Sequence, residues 1–135
     1  MAIKFGVTVR NAMLDSIETT AGSAPIMTIR TGSAPADCAT ANSGTVLATL
    51  TLPSDWMAAA SSGSKAKSGT WQDTSADNTG TAGHFRIHTS DGTVCIMQGT
   101  ITATGGGGDL TVDNTSVASG QQITINTFTL TAGNA

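Results

Sequence analysis

The sequence predicts a mainly β protein: a β-sandwich or jelly-roll-like domain with one short N-terminal helix. Three observations carry this. Thr and Ser supply 37 of the 135 residues, set in runs where apolar and polar side chains alternate, the two-residue period of a strand with one buried face. Clusters of Gly, Pro, Asp and Asn separate these runs at short intervals, as in chains built from many short strands. One stretch near the N-terminus shows helical spacing instead. A chain of this length is read as one domain, here an arm over residues 1–7 followed by a single domain over residues 8–135.

In the arm and just beyond it, Ile3, Phe5, Val7 and Val9 occupy alternate positions. An isolated strand with that pattern exposes an apolar row and an unpaired backbone edge. These four residues are the candidate partner-binding residues. The segment pairs either within its own domain or with a neighbour's sheet. Residues 8–19 are predicted helical, because Val9, Met13 and Ile17 recur at i, i+4, i+8, with Leu14 beside them and Arg10, Asp15 and Glu18 on other faces. Ala21-Gly22 ends the helix. Its stripe has two readings, packing on the sheet or docking on another subunit. Pro25 opens a strand over Ile26–Arg30, and residues 31–44 form a loop. In the strand from Thr45 to Leu52, Val46, Ala48, Leu50 and Leu52 share one face, and Pro53 stops it. Trp56 and Met57 are predicted to point inward from a single helical turn. A strand over residues 65–71 and an exposed polar loop over residues 72–81 follow.

Asp91-Gly92, flanked by alternating residues, predicts a hairpin with a two-residue type I′ turn. That register places His88 opposite Cys95, Ile87 opposite Ile96 and Phe85 opposite Gln98. Phe85, Ile87, Val94 and Ile96 then share the core face; His84, Arg86, His88, Cys95 and Met97 share the other. Ile101 and Ala103 change parity, which predicts a bulge at Gly99. Gly105–Gly108 is a bend, Leu110 and Val112 mark a short strand, and Asp113-Asn114 a turn. Residues 121–131 form the last strand. Its inward parity switches near Asn126-Thr127, from Ile123 and Ile125 to Phe128 and Leu130.

Charged residues are 11% of the chain and the net charge is −3. Lys4, Arg10, Arg30, Lys65, Lys67 and Arg86 are scattered without a basic stripe, which argues against nucleic acid. No apolar run approaches the roughly 20 residues that cross a bilayer. The opening MAIKFGVTVRNAML lacks an apolar signal core, so the expectation is synthesis and folding in a cytoplasm. Cys38 and Cys95 lie far apart, outside any CxxC pattern, and are expected to be free buried thiols. His88 and Cys95 supply two cross-strand ligands where structural zinc takes four, and His84 sits roughly 13 Å along the strand from His88. No GxSxG elbow accompanies the many serines. Gly105–Gly108 lacks a following Lys-Ser/Thr, and Asp109 would repel phosphate. Asp73 with Asp77, and Asp109 with Asp113, do not follow the EF-hand pattern. The expectation is therefore no catalytic residue, no metal and no cofactor.

Several stretches gain weight from their order and spacing: VRNAMLDSIE, IRTGSAPADC, VLATLTLPSDW, ADNTGTAGHFRI, SDGTVCIMQGTI, GGGGDLTVDNTS and QQITINTFTLTAGNA. Together they resemble a family of small virion structural proteins of tailed bacteriophages, over nearly the whole chain. The resemblance implies a non-enzymatic particle component made in the host cytoplasm. Its first form is a capsid decoration or cement protein, bound to the major capsid protein or to copies of itself as a dimer or trimer. The alternative is a tail, neck or fibre-associated virion protein that contacts the host surface.

Overall fold

The alternating runs become short strands, mostly paired antiparallel, behind a single helix. In the computed structural model, which describes residues 3–133, the order is α1 (Val7–Ala21), β1 (Ile26–Thr31), β2 (Val46–Thr51), β3 (Ser64–Ala66), β4 (Trp71–Asp73), β5 (Gly80–His88), β6 (Cys95–Ala103), β7 (Leu110–Val112), β8 (Ser116–Val117), β9 (Ile123–Ile125) and β10 (Thr129–Thr131). The main sheet runs β2-β1-β5-β6-β7, with β8 beside the start of β5. Two ribbons, β10-β3 and β4-β9, form the opposing part of a β-sandwich-like domain.

Aromatic rings join the two parts. Phe85 of β5 meets Phe128 edge-on at 5.7 Å, Phe128 lies 5.3 Å from Trp71, and Trp71 lies 5.9 Å from Trp56. Met27, Ile29, Leu50, Leu52 and Ile87 fill in around them. With so few large apolar residues, one chain of rings does the work of a layered core. The predicted parity switch near Asn126-Thr127 is where the last strand divides: β9 pairs with β4, β10 pairs with β3, and Phe128 is buried between them. The single strand expected over residues 65–71 is likewise two short strands, because β3 and β4 take different partners.

The hairpin forms with His88 opposite Cys95, but its ladder then slips by one residue. Ile87 pairs with Met97, Arg86 with Gln98 and Phe85 with Gly99. The bulge therefore lies at Ile96, not at Gly99. Met97 takes the place predicted for Ile96, and Val94 is exposed rather than in the core. Gly99 has a different reason to be glycine: a Cβ there would lie 2.8 Å from Cε1 of Phe85. The turn is also not type I′, which needs positive φ at both central residues. Gly92 has φ 76° but Asp91 does not. Gly92 N–H donates to the Thr89 carbonyl, and Asp91 Oδ1 accepts from Thr89 Oγ1, Thr93 N–H and Thr93 Oγ1.

The Gly105–Gly108 bend is tight. It returns the chain so that β7 runs parallel to β6, with Ile101 beside Leu110. Six residues close this reversal because Gly105 and Gly107 adopt positive φ and Gly106 and Gly108 press on Thr102. Cys38 and Cys95 are joined as a disulfide, with Cα atoms 5.4 Å apart. This replaces the expected free thiols. The bulged strand brings Cys95 beneath the loop after β1, a proximity that spacing along the chain does not reveal.

Candidate functional site

The predicted partner-binding residues Ile3, Phe5, Val7 and Val9 are all exposed. Ile3 is 79% accessible, and Phe5, Val7 and Val9 between 45% and 47%. They do not form one alternating strand. Residues 3–6 are irregular, and Val7 and Val9 belong to α1. Gly6, extended at the helix N-cap, accepts the first intrahelical bond from Arg10 N–H. Residues two positions apart on a helix are separated by about 200°, so Val7 and Val9 point in different directions. The neighbour of Val9 on the helix surface is Met13, which is 49% exposed.

Of the two readings of the helix stripe, packing on the sheet is not what the structure shows at Val9 and Met13. The stripe faces away from the domain there; only Ile17, at its end, packs against the core. The polar residues face inward. Asn11 Oδ1 accepts Gly63 N–H at 2.8 Å, and Arg10 Nη1 donates to Ala132 O at 3.3 Å. Asp15 Oδ1 accepts Ala60 N–H at 3.0 Å and Lys65 Nζ at 2.6 Å, and Glu18 Oε2 lies 2.8 Å from the same ammonium. Leu14 and Ala21 add the buried apolar contacts. Lys65 is the reason for this orientation. Its side chain is buried, and its three N–H donors meet Asp15, Glu18 and the Ala58 carbonyl. Burial alone would pull the Lys65 pKa down, but the bonds to Asp15 and Glu18 outweigh it and hold it above its ordinary value. Asp15 is held below the usual carboxylate value by Lys65 first and Ala60 N–H second.

The exposed residues of α1 are Val7, Thr8, Val9, Ala12, Met13, Ser16, Thr19 and Thr20, none of them charged; Asp15 keeps its side chain 47% exposed while it bonds Lys65. A helix on a protein surface ordinarily turns charge to the solvent. Val9 and Met13 stay outside, and Ile3 and Phe5, in the coil before the helix, are exposed as well. Exposed apolar surface is a feature of interaction sites, which makes this face the candidate. Periodicity places Met13 on the stripe but leaves its direction open; Lys65, fifty residues from its partner Asp15, decides the matter.

The other groups weighed in the sequence are committed elsewhere. Asp73 Oδ2 accepts Thr49 N–H and Asp77 Oδ2 accepts Thr49 Oγ1, so these acids cover the edge of β2. Asp109 Oδ2 holds Thr100 N–H and Oγ1 across the Gly-rich return. His88 faces Cys95 as expected, but the Cys95 sulfur is bonded to Cys38. Among the described residues no three His, Cys, Asp or Glu converge on one point, and no helix is long and apolar enough to cross a membrane. Comparison with protein-family models, curated proteins and solved structures finds no match for this chain.

Proposed function

We propose that this chain is a non-enzymatic structural protein of a tailed-phage particle, a decoration or cement protein that binds between capsid subunits and stabilises the head. The observation that carries the reading is the helix α1, which turns Val9 and Met13 outward, with Ile3 and Phe5 exposed in the coil before it. The ordered sequence stretches supply the phage context. The major capsid protein is the primary partner, with further copies of this chain completing a dimer or trimer. The chain is made in the host cytoplasm and works in the virion. The Cys38–Cys95 disulfide suits a component that persists outside a reducing cytosol.

Copy number and particle binding test this reading. Hundreds of copies per particle are expected. Met13→Glu and Val9→Asp are expected to leave the domain folded and weaken binding to particles lacking the protein at least tenfold. So is removal of residues 2–5, which spares the Gly6 cap. Particles without the protein are expected to rupture at lower temperature. Undiminished binding by Met13→Glu overturns the role of the helix face. A count of a few copies, set by three-fold or six-fold symmetry, with loss of host attachment, favours the tail, neck or fibre reading.

A further inference from the structure

The face of the main sheet turned away from the aromatic core carries the remaining arginines. Arg30 of β1 pairs with His84 of β5, and Arg86 of β5 pairs with Thr28 on one side and Gln98 on the other. Scattered in sequence, these residues are neighbours in the sheet. Segment 32–44, between β1 and β2, lies over them. It contains no large apolar side chain, so apolar burial cannot hold it there. Polar bonds and the disulfide hold it instead. Arg86, 1% exposed, donates from Nη1 to Asn42 Oδ1 and from Nη2 to the carbonyls of Asp37 and Cys38. His84, fully buried, meets the Gly32 carbonyl through Nδ1 at 2.9 Å, and Gln98 Nε2 donates to Pro35 O at 2.6 Å. Cys38 is tied to Cys95.

Arg86 is thus a buried guanidinium with no carboxylate bonded to it. Three neutral oxygens of one segment take its donors, and its Nε has no partner among the described residues; nor have His84 Nε2 and Gln98 Oε1. A planar guanidinium is shaped for two parallel bonds to an oxyanion. Arg30 strengthens the positive field: burial first and Arg86 second lower the Arg30 pKa, and burial first, then Arg86 and Arg30, lower that of His88. Asp37, on the covering segment, is held below the usual carboxylate range first by the Thr40 hydroxyl and then by the Thr40 amide, with Arg86 a minor contributor. Neutral oxygens of the segment thus occupy the donors that an oxyanion would take.

We propose that segment 32–44 is a disulfide-tied strap over an oxyanion-binding face formed by Arg30 and Arg86, and that reduction of Cys38–Cys95 releases it. In the releasing step a dithiol donates two electrons and two protons to the S–S bond. The bond breaks to give two cysteine thiols, and the dithiol closes to its own disulfide. The strap then keeps only hydrogen bonds to neutral oxygens, which a phosphate or carboxylate replaces on Arg86. This inference is independent of the reading of the helix face.

The test uses the full chain, oxidised and after dithiothreitol, with hydrogen exchange and two-dimensional NMR. The reduced protein is expected to exchange the Thr40 and Thr45 amides at least tenfold faster while the core amides of β1 and β5 stay protected. Inorganic phosphate is then expected to shift the Arg86 and His84 signals in the reduced form only. A parallel titration with glutamate separates phosphoryl from carboxylate ligands, and a response to either supports the site. The double variant Cys38→Ser, Cys95→Ser is expected to match the reduced form, and Arg30→Gln to weaken the phosphate response at least threefold. A strap that stays protected on reduction overturns the proposal. So does global loss of core protection, an open strap with no response to either anion, or equal binding before and after reduction.

Discussion

Lys65 Nζ on β3 lies 2.6 Å from Asp15 Oδ1 on α1, with the lysine side chain 1% exposed and the aspartate 47%. This asymmetry sets the orientation of the N-terminal helix. The ammonium, out of water, needs three acceptors and finds two on the helix. The helix therefore turns its acids inward and its apolar stripe out.

Replacing Lys65 with Met keeps the side-chain length and removes the donors. The Ala58 carbonyl and the Asp15 carboxylate then lose their shared partner on β3. The expected result is a folded β core with faster amide exchange throughout α1. The pH dependence follows from the two shifts. Asp15, with its pKa depressed, contributes fully above the unfolded value near ~3.9, and its contribution is lost as pH falls through the lower folded value. Lys65, with its pKa raised, contributes fully below the unfolded value near ~10.4, and its contribution is lost as pH rises through the higher folded one. Exchange of α1 amides against pH is expected to show both limits. Unchanged exchange in Lys65→Met contradicts this account.

Phe85 and Gly99 form a fitted pair. Phe85→Ala is expected to lower stability by about 3–5 kcal/mol. Gly99→Ala forces a methyl group against the ring and is expected to cost about 1–3 kcal/mol. Because the two residues share one space, Gly99→Ala combined with Phe85→Leu is expected to cost less than the sum of the single changes in urea denaturation. Simple additivity would show that they do not compete.

Asp91 organises the hairpin turn. Its bond from Thr89 Oγ1, then those from Thr93 N–H and Oγ1, hold its pKa down at about 2. The folded value is the lower one, so this stabilisation is complete above the unfolded value near ~3.9 and disappears as pH falls through about 2. A carboxyl-carbon NMR titration is expected to find that midpoint. Asp91→Ala is expected to speed exchange of the Val94 amide, which loses its ordered Thr89 hydroxyl partner.

The disulfide closes a separation of 57 residues. Loop-closure entropy of that size is worth about 4 kcal/mol, less than the roughly 5–15 kcal/mol of an ordinary domain. Reduction is expected to lower the denaturation free energy by about that amount and leave a folded domain. An unchanged midpoint after reduction contradicts it.

The free side of β2 is closed by side chains and loop backbone rather than by a strand. Asp73 takes Thr49 N–H, Asn78 Nδ2 donates to Val46 O, and the Asp77 and Asn78 amides donate to Leu47 O. Bare strand edges recruit other chains. Asp73→Ala with Asn78→Ala is expected to produce concentration-dependent association in sedimentation experiments. A variant that stays monomeric at all concentrations argues against this protective role.

Local patterning determined much of this protein. Alternation around Phe85 and Ile87, the stop after Leu52, the inward Trp56 and the parity switch before Phe128 are legible because each depends on near neighbours and on the two-residue period of a strand. The alternation of Ile3, Phe5, Val7 and Val9 was legible, but it left their exposure open and suggested a strand where the chain forms a coil leading into α1. Tertiary structure alone decided the rest. Periodicity finds the stripe of α1 but cannot tell which way it faces, because that depends on a lysine fifty residues later needing acceptors. It finds the hairpin but not the slip at Ile96, which sets Phe85 opposite Gly99. It sees two isolated cysteines and scattered arginines, because Cys38 meets Cys95 and Arg30 meets His84 and Arg86 only when sheet pairing removes the sequence between them. Short-range preferences set the elements; a buried charge and the packing of a few large rings set their orientation and register.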